Sequence, residues 1–216
     1  QVLAVSSENE IWLWDPYNDK QFGDHTIKAD SITSLAFHPD GDVLASGGCD
    51  SAIRFWNPIN GQSILQNLTV PDDSCVSKLA FQPNGKFIAI KSGLSISLWH
   101  TNEENIDQQR LEIPVEDFDG IGDFVFGPHG NILVNISSDH FGNYYSMKIW
   151  DYENGDLLRE LVRDVMSFSI DLSPDGSILA SGDDDGYIRF WDPNTLVEIE
   201  DSIIAHSQYV SNISFS

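Results

Sequence analysis

Residues 44–58 read LASGGCDSAIRFWNP, and residues 179–193 read LASGDDDGYIRFWDP. The two stretches agree at ten of fifteen positions, and such agreement within one chain marks an internal repeat, whose period decides the fold before any single segment is read. The turn FHPDG at 37–41 recurs as FQPNG at 81–85, FGPHG at 126–130 and LSPDG at 172–176, and Phe215-Ser216 opens a fifth copy. These starts are spaced 44, 45, 46 and 43 residues apart. A second marker keeps the same order: IWLWDP at 11–16, IRFWNP at 53–58, ISLWHT at 96–101, MKIWDY at 147–152 and IRFWDP at 188–193.

Each period decomposes into short strands. ITSLAF (32–37) alternates with the period of a half-buried strand, and Pro-Asp-Gly then supplies a tight turn. VLAS (43–46) is a second strand, the corner GGCDS leads to AIRFW as a third, and SILQNL offers a fourth after the turn residues NPING. Four strands in each period form the blade of a β-propeller, so the expected class is all-β, built of four-stranded antiparallel blades.

These markers resemble the blades of the WD-repeat (Trp-Asp) β-propeller family over essentially the whole chain. The dipeptide stands at Trp14-Asp15, Trp150-Asp151 and Trp191-Asp192 and is altered to Trp56-Asn57 and Trp99-His100. Repeats are expected at 28–71, 72–116, 117–162 and 163–205, with partial ones at 1–27 and 206–216. Joining the last residues to the first gives a repeat lacking only its Pro-Asp-Gly turn. The chain therefore reads either as a segment of a larger propeller, the expectation favoured here, or as a closed five-bladed ring.

The resemblance implies an internal network in each blade: His before the first strand, Ser or Thr in the second, Asp in the corner and Trp in the third. Ser46, Asp50 and Trp56 fit in one repeat and Ser181, Asp185 and Trp191 in another, but Lys28 and Arg163 stand where His is expected. Lys28 is thus expected to pair with Asp50, and Arg163 with Asp185, through charge-assisted bonds. The alternative leaves both cations in solvent. His206 alone occupies the expected His position, while Gly93 and Tyr144 replace the corner Asp in the remaining repeats.

Composition narrows the function. The 216 residues carry 34 acids against 11 bases, a net charge of −23, which repels phosphate backbones and anionic membrane surfaces. No nucleic-acid or membrane partner is expected, and a basic protein or peptide is compatible with the charge. Cys49 and Cys75 form no disulfide framework; free thiols, a reducing compartment and a cytoplasmic location are expected. Sequons begin at Asn67, Asn135 and Asn212, a pattern that arises often by chance.

No catalytic, cofactor or metal site is expected. The six His show no zinc spacing. Asp183-Asp184-Asp185 lacks the spaced ligands and closing Glu of a calcium loop, and neither a nucleophile elbow nor a phosphate loop occurs. Asp139-His140 sits in an enlarged corner that reads either as a recognition loop or as a surface irregularity.

By resemblance, the expected function is a non-catalytic protein-interaction scaffold or sensor platform within a larger signalling or regulatory protein, other domains of which are possible partners. Its contact positions, carried over residue by residue, are Ser31, Thr33, Cys49, Cys75, Ser77, Met166, Phe168, Asp184, Tyr209 and Ser211. The fourth repeat offers Gly120 and Gly122 at these places. Alternation makes Phe168 core-facing unless a bulge re-aims it. The alternative function is a hydrolase-type propeller completed by blades outside this chain.

Overall fold

The computed structural model describes residues 2–7, 9–18, 20–21, 26–70, 74–102, 105–113, 120–128, 132–138, 145–199 and 201–216. The chain divides into two compact units, Gln1–Glu112 and Ile113–Ser216, and all regular elements among the described residues are strands.

The first unit holds three sheets. The first contains β1 (Leu3–Ser7), β2 (Glu10–Asp15), β3 (Lys20–Gln21) and β4 (Ile27–Lys28), with β3 and β4 both pairing with β2. The second runs in the order β5 (Ile32–Phe37), β6 (Leu44–Gly48), β7 (Ala52–Trp56), β8 (Leu68–Thr69). The third comprises β9 (Val76–Phe81), β10 (Phe87–Ser92), β11 (Ser95–Asn102) and β12 (Asn105–Ile113), again in sequence order. The second unit holds two more meanders: β13 (Gly120–Phe126), β14 (Ile132–Ser138), β15 (Tyr145–Asp151) and β16 (Asp156–Arg163), then β17 (Ser167–Leu172), β18 (Leu179–Asp183), β19 (Tyr187–Trp191) and β20 (Ile203–Ile204). The all-β class of four-stranded antiparallel blades is therefore the observed one.

The two near-identical stretches fold alike. Leu44 opposes Trp56 and Leu179 opposes Trp191. Each outer strand is a two-residue ladder plus one isolated bridge, Trp56 to Ser63 and Trp191 to Glu198. Indole N–H groups find partners inside their own blades: Trp56 donates to Ser46 Oγ at 2.8 Å, Trp191 to Ser181 Oγ at 3.1 Å, Trp99 to Ser97 Oγ at 3.1 Å and Trp150 to Asn135 Oδ1 at 2.7 Å. Asn135, the second of the three sequons, is 4% exposed, so its amide serves the core and is closed to a glycan.

The residue after Trp caps the next turn. Asp15, Asn57, Asp151 and Asp192 each accept the backbone N–H two residues on, at 2.9, 2.9, 2.9 and 2.7 Å. Asn keeps the Oδ1 acceptor, which is why Trp56-Asn57 folds as Trp-Asp does.

Apolar clusters fill the spaces between consecutive sheets. Ile11, Leu13 and Ile27 pack with Leu44 and Trp56, while Ile53, Phe55, Val76, Leu79, Ile88 and Ile90 form the next cluster. In the second unit Val134, Ile136, Met147 and Ile149 meet Ile170, Leu172, Leu179 and Trp191. Gly47 and Gly182 occupy one position of the repeat and both make close approach possible. A Cβ there would lie 2.4 Å from Val76 Cγ1 or 2.7 Å from Val210 Cγ1. Polar side chains stitch neighbouring first strands, and β17 to the segment that follows β20: Ser34 Oγ accepts Leu79 N–H at 2.8 Å, Asp123 Oδ2 accepts Ile170 N–H at 3.2 Å, and Ser169 Oγ accepts Ile213 N–H at 3.3 Å.

Three sequence expectations are overturned. Asp50 is paired with Arg54 at 2.5 Å, four residues along the same corner, whereas Lys28 is exposed at the edge of β4 with no ion pair among the described residues. Asp185 is likewise held by Arg189 at 2.6 Å, and Arg163 reaches Asp183 instead, at 2.7 Å. Asp183 ends β18 and points inward, where Asp185 has already turned the corner; its counterpart in the other stretch is Gly48. A Cβ on Gly48 would sit 2.7 Å from the carbonyls of Asp30 and Ser31, so Lys28 has no equivalent acid. Lastly, Cys49 and Cys75 are joined in a disulfide, with Cα atoms 3.9 Å apart. Val76 seats against Gly47 and carries Cys75 beside Cys49. The free-thiol expectation fails, and the argument for a reducing compartment goes with it.

Candidate interaction face

One end of each sheet gathers the second-to-third-strand corner and the start of the first strand. Every complete blade bears a β-bulge there. The pairing register shifts across Ile32/Ser34, Ile121/Asp123 and Ser167/Ser169, and in the third sheet Lys78 and Val76 oppose consecutive residues of β10. The residues that the register skips are Thr33, Ser77, Gly122 and Phe168, spaced 44, 45 and 46 residues apart, the same spacing as the turn motif. A bulge reverses the alternation of what precedes it. Ser167 and Ser169 are buried at 7% and 3%, whereas Phe168 is 36% exposed. The alternation that would have buried Phe168 is broken at that residue.

In the second unit this end carries an aromatic pair. The rings of Phe168 and Tyr209, the latter 56% exposed, lie 5.3 Å apart at 58°. Both are placed by the backbone of the Asp183–Asp184 corner: Ser167 opposes Asp183, Asp184 N–H donates to Met166 O at 2.9 Å, and Val210 N–H donates to Asp183 O at 2.9 Å. Asp184 is exposed between them, Met166 is half-buried, and Ser211 is exposed on the following segment.

Beneath the pair lies a closed polar network. The Asp183 carboxylate, fully buried, takes both Nη atoms of Arg163, the Ser167 hydroxyl at 2.6 Å and Arg189 Nη1. The Arg163 guanidinium also lies 4.7 Å above the Trp191 ring, and Arg189 continues to Asp185. Hydrogen bonding and charge from Arg189 hold the Asp185 carboxyl below the usual value, and the two carboxylates in turn raise Arg189. Burial alone would raise the Asp50 carboxyl, but Arg54 and the Ala52 N–H outweigh it and hold it low. The cluster is thus a support for the face, with its acids bound to cations of the chain. His206, expected in the network, is exposed; its backbone N–H donates to Gly186 O at 3.1 Å, and its ring has no hydrogen bond or ion pair among the described residues.

The first unit presents a different chemistry at the equivalent places. Ser31, Thr33, Cys49, Cys75 and Ser77 are all exposed. The Thr33 hydroxyl is already engaged with the carbonyls of Gly47 (3.1 Å) and Val76, and the Ser77 hydroxyl donates to Lys91 O at 3.3 Å. Ser31 has φ of 53° and its carbonyl accepts Cys49 N–H at 3.0 Å. Asp139, His140 and Tyr144 lie outside the described residues, as does the side chain of Ile121. Among the described residues no group of three or more His, Cys, Asp or Glu is placed to hold a metal ion, and no helix is long and apolar enough to cross a membrane. Sequence reading missed Ser34, Asp123, Ser169 and Arg189. The signal for the first three is a polar residue one place beyond the bulge, and for Arg189 an Arg two places before Trp, shared by Arg54 and Trp56.

Comparison with known proteins agrees with this geometry. The model of the WD domain, G-beta repeat, matches residues 20–57 and 159–192. Nuclear distribution protein PAC1 of Arthroderma otae is 33% identical over 177 residues, 76% of this chain and 36% of that protein. The Target of rapamycin complex subunit wat1 of Schizosaccharomyces pombe is 25% identical, covering 88% of this chain and 60% of its own length. WD repeat-containing protein slp1 of the same yeast is 26% identical over 162 residues, 72% of this chain and 31% of that protein. The chain thus spans about a third of the length of PAC1. Among solved structures, the β-propeller domain of Myceliophteria thermophila Cps50 (Swd1) superposes with a TM-score of 0.73 at 16% identity, covering 88% of this chain and 62% of that domain. Kuenenia stuttgartiensis hydrazine synthase reaches the same TM-score at 18% identity, over 89% of this chain and 60% of that one. Both show likeness of fold.

Proposed function

Because the chain belongs to the WD-repeat family, with its repeats folded as propeller blades, we propose that it is a non-catalytic platform that binds a protein or peptide partner at the bulged ends of its blades. The observation that carries this reading is the repeated bulge. It turns one residue per blade out of the strand ladder at a fixed place, with Thr33, Ser77 and Phe168 carrying side chains there, on a scaffold rigid enough to hold them. In the second unit the freed residue is Phe168, paired with Tyr209, and exposed aromatics that meet in this way are the composition of binding hot spots. The adjacent Asp184 carboxylate and the net charge of −23 favour a partner with cationic side chains, steered by the field of the chain. In supporting analogy, wat1 is by its name a subunit of a complex. The chain's place is within a larger signalling or regulatory protein.

Selection of a displayed random-peptide library on the immobilised chain tests the reading. Enrichment of Lys- or Arg-bearing peptides, abolished in Phe168→Ala/Tyr209→Ala with an unchanged Tm, is the expected result. No enrichment, or the same peptides captured by the double variant, contradicts it.

A further inference from the structure

We propose that the Cys49–Cys75 disulfide is an exchangeable redox staple, opened by a thiol reductant that is not anionic while the blades it joins remain folded. Three observations converge on this. Both cysteines are exposed, at a corner and at a strand start rather than in a core. Surface disulfides open to an attacking thiolate are the labile ones. The bridge joins consecutive sheets of one unit, closing a stretch with a sequence separation of 26 residues.

The joint beneath it does not depend on sulfur. The Thr33 hydroxyl spans the carbonyls of Gly47 and Val76, Ser34 accepts Leu79 N–H, and Val76 and Leu79 are buried at 0% and 4% in a cluster with Ile53, Phe55, Ile88 and Ile90. Loss of the bond therefore frees the corner around Cys49 from Cys75 and leaves the blade-to-blade packing in place.

The setting selects the reductant. Asp50, next to Cys49, is already balanced by Arg54 at 2.5 Å, so the field that meets an incoming thiol is that of the chain as a whole, which carries −23. An anionic thiol such as glutathione approaches against this field, whereas a cationic thiol such as cysteamine or a neutral dithiol does not. In the step itself, one thiolate of a dithiol attacks a bridge sulfur. The Cys49–Cys75 bond breaks, a mixed disulfide forms, and the other cysteine leaves as a thiolate and takes a proton. The second thiol of the reductant then displaces the remaining cysteine and closes the reductant's own disulfide, so that two electrons and two protons pass to the protein. Cys49 and Cys75 both lie on the bulged face, so opening also reshapes a contact surface. That consequence rests on the function proposed above; the thiol chemistry does not.

The test is alkylation followed by intact mass on the whole chain. Air-oxidised protein should take up no alkylating agent even when denatured. After dithiothreitol in native buffer it should take up two equivalents, with its β-sheet circular dichroism retained and its Tm lowered by about 5–15 °C. Cys49→Ser/Cys75→Ser should melt with the reduced form and ignore reductant. Cysteamine should outpace glutathione by more than it does on a small uncharged disulfide, with the excess shrinking in 1 M salt. Two free thiols before reduction, a bond closed to dithiothreitol until denaturant is added, loss of sheet on reduction, or equal treatment of the two charged thiols would each overturn the proposal.

Discussion

Asp183 and Asp185 stand two positions apart, yet their fates differ because a strand ends between them. Asp183 is enclosed, and its charge is balanced by Arg163 and Arg189. Asp183→Ala would strand Arg163, while Arg189 keeps Asp185, and should cost about 3–5 kcal/mol in urea unfolding. Asp185→Asn breaks a pair whose acid is a third exposed, so about 0.5–1 kcal/mol is expected. The acid limit follows from depressed carboxyls. The Asp175 carboxyl is pulled down to about 2 by the hydroxyls of Ser173 and Ser177 and by the Ser177 N–H, and Asp50 and Asp185 lie below their ordinary 3.8. A group depressed on folding stabilises the native state above its unfolded value, and that contribution is lost as pH falls through the folded one. Tm measured between pH 6 and 2 should therefore fall below about pH 4, and Asp175→Asn should flatten the drop. A steeper fall in that variant would reverse the sign of the argument.

At the scale of the strand, period and pattern were legible, and placement within a corner was not. The turn motif and the Trp marker locate the blades, because both are local devices: Pro-Asp-Gly closes a hairpin, and the Asp or Asn after Trp caps the next turn. The cation partners escaped because two residues along a corner exchange inside for outside, a choice made by the bulge and by what packs opposite. Gly48 and Asp183 show this most clearly, since one position of the repeat is blocked by carbonyls in one blade and filled by a buried carboxylate in another. The disulfide escaped for a related reason: contact between residues 49 and 75 arises only when Val76 docks on Gly47. Gly47→Ala should therefore cost about 1–3 kcal/mol through overpacking against Val76, and Gly182→Ala should do likewise against Val210. A change below 0.5 kcal/mol in chemical denaturation would show that these joints are looser than described.

For the molecule as a whole, the charge of −23 works against compaction and for selection of partners. Added salt from 0.02 to 0.5 M should raise Tm by screening self-repulsion and should weaken any cationic ligand. Opposite responses of folding and binding to one variable are the mark of this arrangement. The central claim is that contact residues are those the bulges release, and the affinity of a selected cationic peptide tests it most directly. Calorimetric Kd should rise at least tenfold in Phe168→Ala, with unchanged Tm, and stay within twofold in Asn194→Ala, at the opposite end of the same sheet. Equal affinities for wild type and Phe168→Ala, or equal losses in both variants, would contradict the account.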